Sequence, residues 1–372
     1  MTFRGTAAVL RTINEPFSIE EVEFKTDDPK RVIVKTHASP FCSTDVKNWK
    51  GQLYKIPPTI LGHASIGEIV WMGADVEGFK IGQRVSVPGT PECGKCYYCS
   101  IGEVWQCGEL FDLGGIYPDI AVGDDGAEIS CAGCVGGYAE YMSISMNQIF
   151  PIESDLDSVT LSMLGCGITA GVGSIFNVAQ VKPGESVAIV GAGHLGLWAV
   201  QAARLAGASQ VIVVEWHEGR AKLAEGFGAD AIITPGRDYE LADEAIAEVK
   251  RLTGGRGVDV SLEAAGPTAA QRLALLASRR AARVVYTGFE IGGAQLTIPQ
   301  VETALQSRQI RSSQNGQVHM RSDLQRYTEM IERGLLSAEG FVTRTYDVAE
   351  LDLARDRSGS FDDVCGIIAF DH

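Results

Sequence analysis

The sequence predicts an α/β protein in which a barrel-like, all-β N-terminal region precedes a doubly wound parallel sheet. Over the first 150 residues, short alternating strands are broken by Gly and Pro. From about Glu185 the rhythm changes to apolar strand, glycine turn, amphipathic helix and strand. The chain's 372 residues are also two or three times a typical domain, which favours two domains with substantial cores.

The alternating segments 31–36, 65–71, 84–87 and 139–144 read as the β-rich part. Segments 186–190, 210–214, 231–233, 258–262 and 282–287 are nearly continuous apolar runs separated by helical patterns, as strands covered on both faces should be. Past about Ile310 helix and short strands return, and 365–370 reads as a closing strand with no helix after it, so the tail is expected to rejoin the first domain.

Hydrophobic residues make up 45% of the chain and charged ones 21%, with 43 Gly and 13 Pro in no repeating tract, which is the composition of a folded globular protein. Thirty-two basic residues against 47 acidic ones give a net charge of −15, which disfavours nucleic acid and anionic membrane surfaces as partners. The longest apolar-looking stretch, 187–208, contains His194, Gln201, Arg204 and four glycines, poor material for a bilayer span. The N-terminus shows no sustained apolar segment or cleavage-type site, so export is not signalled and a cytoplasmic location is expected. Nine cysteines, mostly clustered, suggest metal ligands rather than disulfides.

Gly191-Ala192-Gly193-His194-Leu195-Gly196 follows the apolar run 187–190 and opens a helix. The first glycine permits the tight turn, the second lets the backbone approach a pyrophosphate, and the third lets helix pack on strand. Glu215 ends the next strand, where a carboxylate accepts hydrogen bonds from an adenosine ribose and repels a 2′-phosphate, so NAD is favoured over NADP. Arg220, a nearby cation, lies five residues further on rather than beside the ribose position.

Cys93, Cys96, Cys99 and Cys107 place four thiols within one short loop, a set suited to a closed tetrahedral zinc rather than to an iron–sulfur run. A catalytic metal needs three protein ligands and an open position. Among the six histidines, His63 after Gly62 is the candidate, with Cys42 and Cys166 as possible thiolates, yet no spacing rule joins these three. Taken alone, two buried cysteines and a hydrogen-bonded histidine explain them as well. Cys131 and Cys134 form a further CxxC on a loop, away from a helix start that would activate a thiol.

Together these motifs resemble the zinc-dependent, medium-chain alcohol dehydrogenase family over nearly the whole chain. The matching segments are Cys42 with Thr44 and Asp45, Leu61-Gly62-His63, the four-cysteine loop, Gly136-Gly137-Tyr138-Ala139-Glu140-Tyr141, Leu164-Gly165-Cys166-Gly167, and the Gly191 turn with Glu215. The resemblance implies a GroES-like β-barrel catalytic domain over 1–167 and 314–372, carrying the structural zinc lobe, and a Rossmann dinucleotide-binding domain over 168–313. It implies two zinc ions per subunit, one on Cys42, His63 and Cys166, and hydride transfer between a small alcohol or carbonyl compound and NAD. In that scheme the Thr44 hydroxyl carries the departing proton and Asp45 orients His63. A homodimer or homotetramer joined through Rossmann edge strands is implied as well.

The chain also departs from the family pattern. Ala64 stands where a Glu usually follows the zinc-binding His, Lys47 where many members place a relay His, Ser43 where several have a basic residue, and Cys365 near a common terminal-segment Arg. Leu53 and Gly89 replace frequent aromatic walls, which points to a bulky, aromatic or secondary alcohol, with Trp49, Tyr54 and Phe111 as candidate lining. A polyol or amino-alcohol dehydrogenase and a nicotinoprotein are alternatives within the superfamily. A non-catalytic nucleotide-binding relative is expected to have lost the zinc-binding residues, and this chain retains them.

Overall fold

The computed structural model describes residues 2–53, 57–111, 118–131, 133, 135–291 and 293–370. The chain divides into two compact units, Met1–Cys166 with His319–His372, and Gly167–Val318. In chain order the first unit begins with β1 (Phe3–Leu10), β2 (Ser18–Phe24), β3 (Arg31–Phe41), β4 (Thr59–Ile60), β5 (Ala64–Met72), β6 (Arg84–Pro88), β7 (Asp119–Gly123), β8 (Glu128–Cys131), β9 (Tyr141–Ser145) and β10 (Phe150–Pro151). Strands β1, β2, β7, β8 and β4 hydrogen-bond in that order into a closed barrel. Closure leaves no unpaired edge, so even the largely acidic β2 is held by Val22 and Phe24, which point inward while Glu21 and Glu23 face water.

A second sheet runs β10, β6, β5, β3, with β9 also paired to β3. Because β3 is central, it is buried along most of its length, polar Thr36 and Ser39 included. Phe3, Leu10, Phe24, Ile33, Ile60, Ile129 and Tyr138 share the core beneath the barrel. The ends of two of these strands carry chemistry-bearing side chains: β3 ends one residue before Cys42, and β5 starts one residue after His63.

The second unit contains β11 (Ser186–Val190), β12 (Gln210–Val214), β13 (Ala231–Ile233), β14 (Val258–Glu263), β15 (Ser278–Tyr286) and β16 (Gln309–Ser312). They form one parallel sheet in the order β13, β12, β11, β14, β15, β16. This is a doubly wound Rossmann arrangement, and the order reverses at β11, which places a ligand crevice outside the carboxyl ends of β11 and β14. The helix His194–Leu205 follows β11 and buries Leu197, Trp198, Val200 and Ala203. It packs so closely on the helix Gly167–Gly173 that a Cβ on Gly171 would stand 2.5 Å from the Leu195 carbonyl oxygen and 2.7 Å from Trp198 Cβ.

The tail adds β17 (Val342–Tyr346) and β18 (Cys365–Ala369). These pair in parallel, and β18 lies antiparallel on β3 with Gly366 opposite Phe41. The strand that leads to Cys42 is therefore flanked by the last strand of the chain. Among the described residues no single helix is long and apolar enough to cross a membrane.

Candidate functional site

Three elements of the first unit converge on one point. Cys42 is the N-cap of the short helix Ser43–Trp49, His63 precedes β5, and Cys166 follows the turn Met163–Gly165. Their ligand atoms, two thiol sulfurs and an imidazole nitrogen, all lie within 4.8 Å of one another. His63 Nε2 is 3.3 Å from Cys166 Sγ. On its other side, His63 Nδ1 lies 3.3 Å from Asp45 Oδ1, a fully buried carboxylate. That hydrogen bond selects the tautomer with the proton on Nδ1 and turns the Nε2 lone pair toward the sulfurs.

The site's electrostatics favour a cation. The hydrogen bond from Cys166 pushes the Cys42 thiol well below its usual value, burial opposing it and His63 assisting, while the same shared proton pushes Cys166 up. Burial works against a charge on His63, but Asp45 and Cys166 outweigh it and raise its pKa well above the imidazole value. Donors that compete for protons at such short range are those from which a soft divalent cation displaces protons. Two sulfurs and one imidazole leave a tetrahedral ion one open position, the pattern of a catalytic zinc.

Backbone segments press closely on His63. A Cβ on Gly89 would stand 2.9 Å from the His63 carbonyl oxygen, and one on Gly133 would stand 2.8 Å from His63 Cβ. The buried Gln148 amide donates to Pro88 O at 2.9 Å and to Gly133 O at 3.5 Å, tying together the two segments that flank the ring. Gly89 is thus required by a close approach, and the loop after Cys131 supports His63; Cys131 itself is buried, and Cys134 lies outside the described residues. Gly165, next to Cys166, is constrained in the same way, since a Cβ there would be 2.9 Å from the Ala64 methyl.

Thr44 Oγ1 lies 3.8 Å from Cys42 Sγ, beside the convergent donors. Trp49 is engaged elsewhere: its indole N–H donates to Glu15 O at 2.7 Å and Arg355 covers its ring. Phe111 is exposed, Leu53 is half-buried and Tyr54 lies outside the described residues.

The second cluster is Cys93, Cys96, Cys99 and Cys107, whose sulfurs also fall within 4.8 Å of one another. Cys93 Sγ and Cys99 Sγ are 3.9 Å apart. Backbone N–H groups of Cys96, Cys99 and Gly108 point at sulfur. The Gly108 N–H lowers the Cys96 thiol most, to about 6 against the opposition of burial, whereas burial raises Cys107. Four sulfurs form a closed set with no position left for substrate. Glu92 receives Arg321 at 3.4 Å, and Asn147 Nδ2 donates to Glu109 at 2.8 Å, which anchors the two ends of the lobe to the rest of the first unit.

In the second unit the Gly191 turn has the features of an anion cradle. Gly191 is in the left-handed region at φ +96°, and a Cβ on Gly196 would sit 1.9 Å from the Gly191 carbonyl oxygen. At Gly193 a Cβ would meet only Arg220 Nη1, at 3.8 Å, so the second glycine faces open space beside a guanidinium. Arg220 therefore stands nearer the turn than its place in the sequence suggests. His194 and Leu195 start the helix, and the His194 ring packs where a side chain on Gly167 would lie. Glu215 is buried, its Oε2 accepting from Ala192 N and its Oε1 from His217 N, both at 2.7 Å. No sequence pattern singles out Gln148, Gly133 or the Tyr138 hydroxyl, although Tyr138 lies inside the Gly136–Tyr141 motif.

Fold and sites define a metal-binding barrel unit joined to a Rossmann unit, the build of a zinc-dependent oxidoreductase. Residues 28–154 match the alcohol dehydrogenase GroES-like domain and residues 195–333 the zinc-binding dehydrogenase domain. An S-(hydroxymethyl)glutathione dehydrogenase of Synechocystis is 29% identical over 360 residues, covering 95% of this chain and 96% of that protein. A solved alcohol dehydrogenase zinc-binding domain protein of Burkholderia ambifaria superposes with TM-score 0.92 at 26% identity, over 100% of both chains. Benzyl alcohol dehydrogenase of Acinetobacter calcoaceticus superposes with TM-score 0.90 at 24% identity, over 99% of this chain and 100% of that one, and shows the shared fold. The chain belongs to the zinc-dependent medium-chain alcohol dehydrogenase family and is a zinc-containing dehydrogenase.

Proposed function

We propose that the protein interconverts an alcohol and its aldehyde or ketone by hydride transfer to and from NAD, with one zinc on Cys42, His63 and Cys166 and a second on Cys93, Cys96, Cys99 and Cys107. The observation that carries this reading is the meeting of Cys42, His63 and Cys166 within 4.8 Å from three distant parts of the chain. Zinc supplies Lewis acidity there, lowering the pKa of an alcohol. The chain's own residues do the rest. Asp45 holds the Nδ1 proton of His63. Thr44 Oγ1, next to Cys42 Sγ, accepts the proton that leaves the alcohol and passes it outward.

NAD rather than NADP is supported by Glu215, whose carboxylate stands behind the glycine turn and repels a 2′-phosphate. Gly193, His194, Leu195 and Gly196 bring backbone N–H groups to the helix start, Gly191 makes the turn with its own N–H given to Val214 O at 2.9 Å, and Arg220 adds charge for the pyrophosphate. The substrate is a bulky, aromatic or secondary alcohol, a reading supported by Leu53 where relatives often carry an aromatic wall; Gly89 adds no room to it, since the His63 carbonyl oxygen takes the space of its side chain. The protein acts in the cytoplasm as a homodimer or homotetramer. Association through β16 is supported by its place at the sheet edge and by exposed Val301, Leu305 and Ile310 near it in sequence.

A native mass spectrum of the gently purified protein tests the reading. Two zinc ions per subunit with exchangeable NAD are the expected result. One zinc or none, in folded and unchelated protein, would remove the catalytic assignment of Cys42, His63 and Cys166. Two zincs with NAD that does not exchange would make the protein a nicotinoprotein.

A further inference from the structure

Tyr138 belongs to the Gly136–Tyr141 motif, and neither the fold nor the proton path through Thr44 gives its hydroxyl a task. Its ring is completely buried, stacked on Phe41 with centroids 5.5 Å apart and planes 4° from parallel. A Cβ on Gly62 would lie 3.0 Å from Tyr138 Cδ1, so the ring is confined on that side too. A Phe would fill this slot equally well, which leaves the oxygen to be explained. That oxygen donates to Asp45 Oδ2 at 2.8 Å and lies 3.3 Å from Pro40 O.

Asp45 has three other donors. Cys42 N reaches Oδ2 at 3.1 Å, Gly62 N reaches Oδ1 at 3.2 Å, and His63 Nδ1 reaches Oδ1 at 3.3 Å. A carboxylate offers about four lone-pair positions, and here the four donors fill them. The Tyr138 bond is the shortest of the set, and the only one from a side chain other than His63. Burial, and after it the charge of Asp45, holds the phenol pKa well above its usual value, so the hydroxyl keeps its proton and remains a donor.

We propose that Tyr138 is a positioning residue of the Cys42–His63–Cys166 centre: its hydroxyl fixes the outer oxygen of Asp45, so that the inner oxygen holds the His63 proton and aims Nε2 at the metal. The physical reason is the dryness of the pocket. A buried carboxylate that loses a charge-assisted hydrogen bond is left with an unpaired oxygen and turns toward another donor. That turn shifts Oδ1 and weakens its hold on Nδ1, and outer partners of metal-bound histidines commonly govern affinity by about 10- to 100-fold.

This inference rests on the reading that the centre binds a metal, so cobalt binding serves as the probe rather than turnover. Wild type, Tyr138→Phe, Asp45→Asn and the double variant are titrated with Co²⁺ after selective emptying of the centre, with the four-cysteine zinc retained as an internal standard. Tyr138→Phe is expected to weaken cobalt about tenfold and to move the visible ligand-field bands, with unchanged far-ultraviolet circular dichroism. In the Asp45→Asn background the same substitution is expected to have little further effect, since Tyr138 acts through Asp45. Affinity and bands equal to wild type in Tyr138→Phe would overturn the inference while leaving the metal centre intact. So would an undiminished effect in the Asn background, which would mean that the phenol acts by another route. Failure of the wild type itself to take up cobalt at this centre would overturn both this inference and the reading on which it rests.

Discussion

Asp45 shows how much a single short side chain can organise. It accepts hydrogen bonds from backbone N–H groups at two chain positions and from two side chains, and so joins the start of a helix, the segment before β5 and the motif around Tyr138 at one carboxylate. Thr44, one residue away, has the other task in the proposed function, moving a proton rather than holding one. Thr44→Val keeps the shape and removes the hydroxyl. We expect kcat to fall by about a hundredfold with zinc content unchanged by elemental analysis; an unaffected rate would take Thr44 out of the proton path. The sequence exposes these residues unequally. Cys93, Cys96, Cys99 and Cys107 can be read as a set because all fall in one loop. Cys42, His63 and Cys166 cannot, since only tertiary folding joins them, and a family resemblance is needed to connect them. Tyr138 is visible as part of a motif but not as a donor, because its partner lies 93 residues away.

At the scale of elements, parallel strands are the easiest to read. The spans 186–190, 210–214 and 231–233 coincide with β11, β12 and β13, since strands covered on both faces form unbroken apolar runs. β2 escapes the sequence pattern because it carries Glu20, Glu21 and Glu23 and shows only two buried apolar residues, and β4 because two residues make no pattern. β15 starts earlier than its apolar run, at Ser278, where Arg279 pairs with Asp259 at 2.6 Å. The contact of the helices Gly167–Gly173 and His194–Leu205 gives a test at this scale. Gly171→Val drives a side chain into the Leu195 carbonyl and Trp198, atoms that cannot retreat cheaply. We expect a loss of about 2 kcal/mol and a lower thermal midpoint by calorimetry, from overpacking. Gly226→Ala is the contrast. Its Cβ would meet nothing within 4 Å, on a helix, and it should be neutral or stabilise by about 0.5 to 1 kcal/mol.

For the whole molecule, a chain of net charge −15 repels its own copies at long range, so association needs apolar contact at a defined edge. β16 is one of the two edges of the sheet in the second unit, with one flank paired to β15. If the homo-oligomer is built on it, Ile310→Lys should convert the assembly to monomers in light scattering after size-exclusion chromatography, with the zinc count per chain retained. An unchanged mass would move the interface elsewhere.

The pairing of β18 with β3 also bears on how the molecule comes into being. Phe41 and Gly366, which face each other in the finished sheet, leave the ribosome tens of seconds apart at ordinary rates of synthesis. The unit Gly167–Val318 has all its own strands long before that and can fold while still tethered. The strand leading into Cys42, by contrast, waits with an open flank until β18 has been made. A truncated product would therefore hold a finished Rossmann unit beside an exposed sheet edge, a species suited to capture by chaperones and proteases rather than to catalysis.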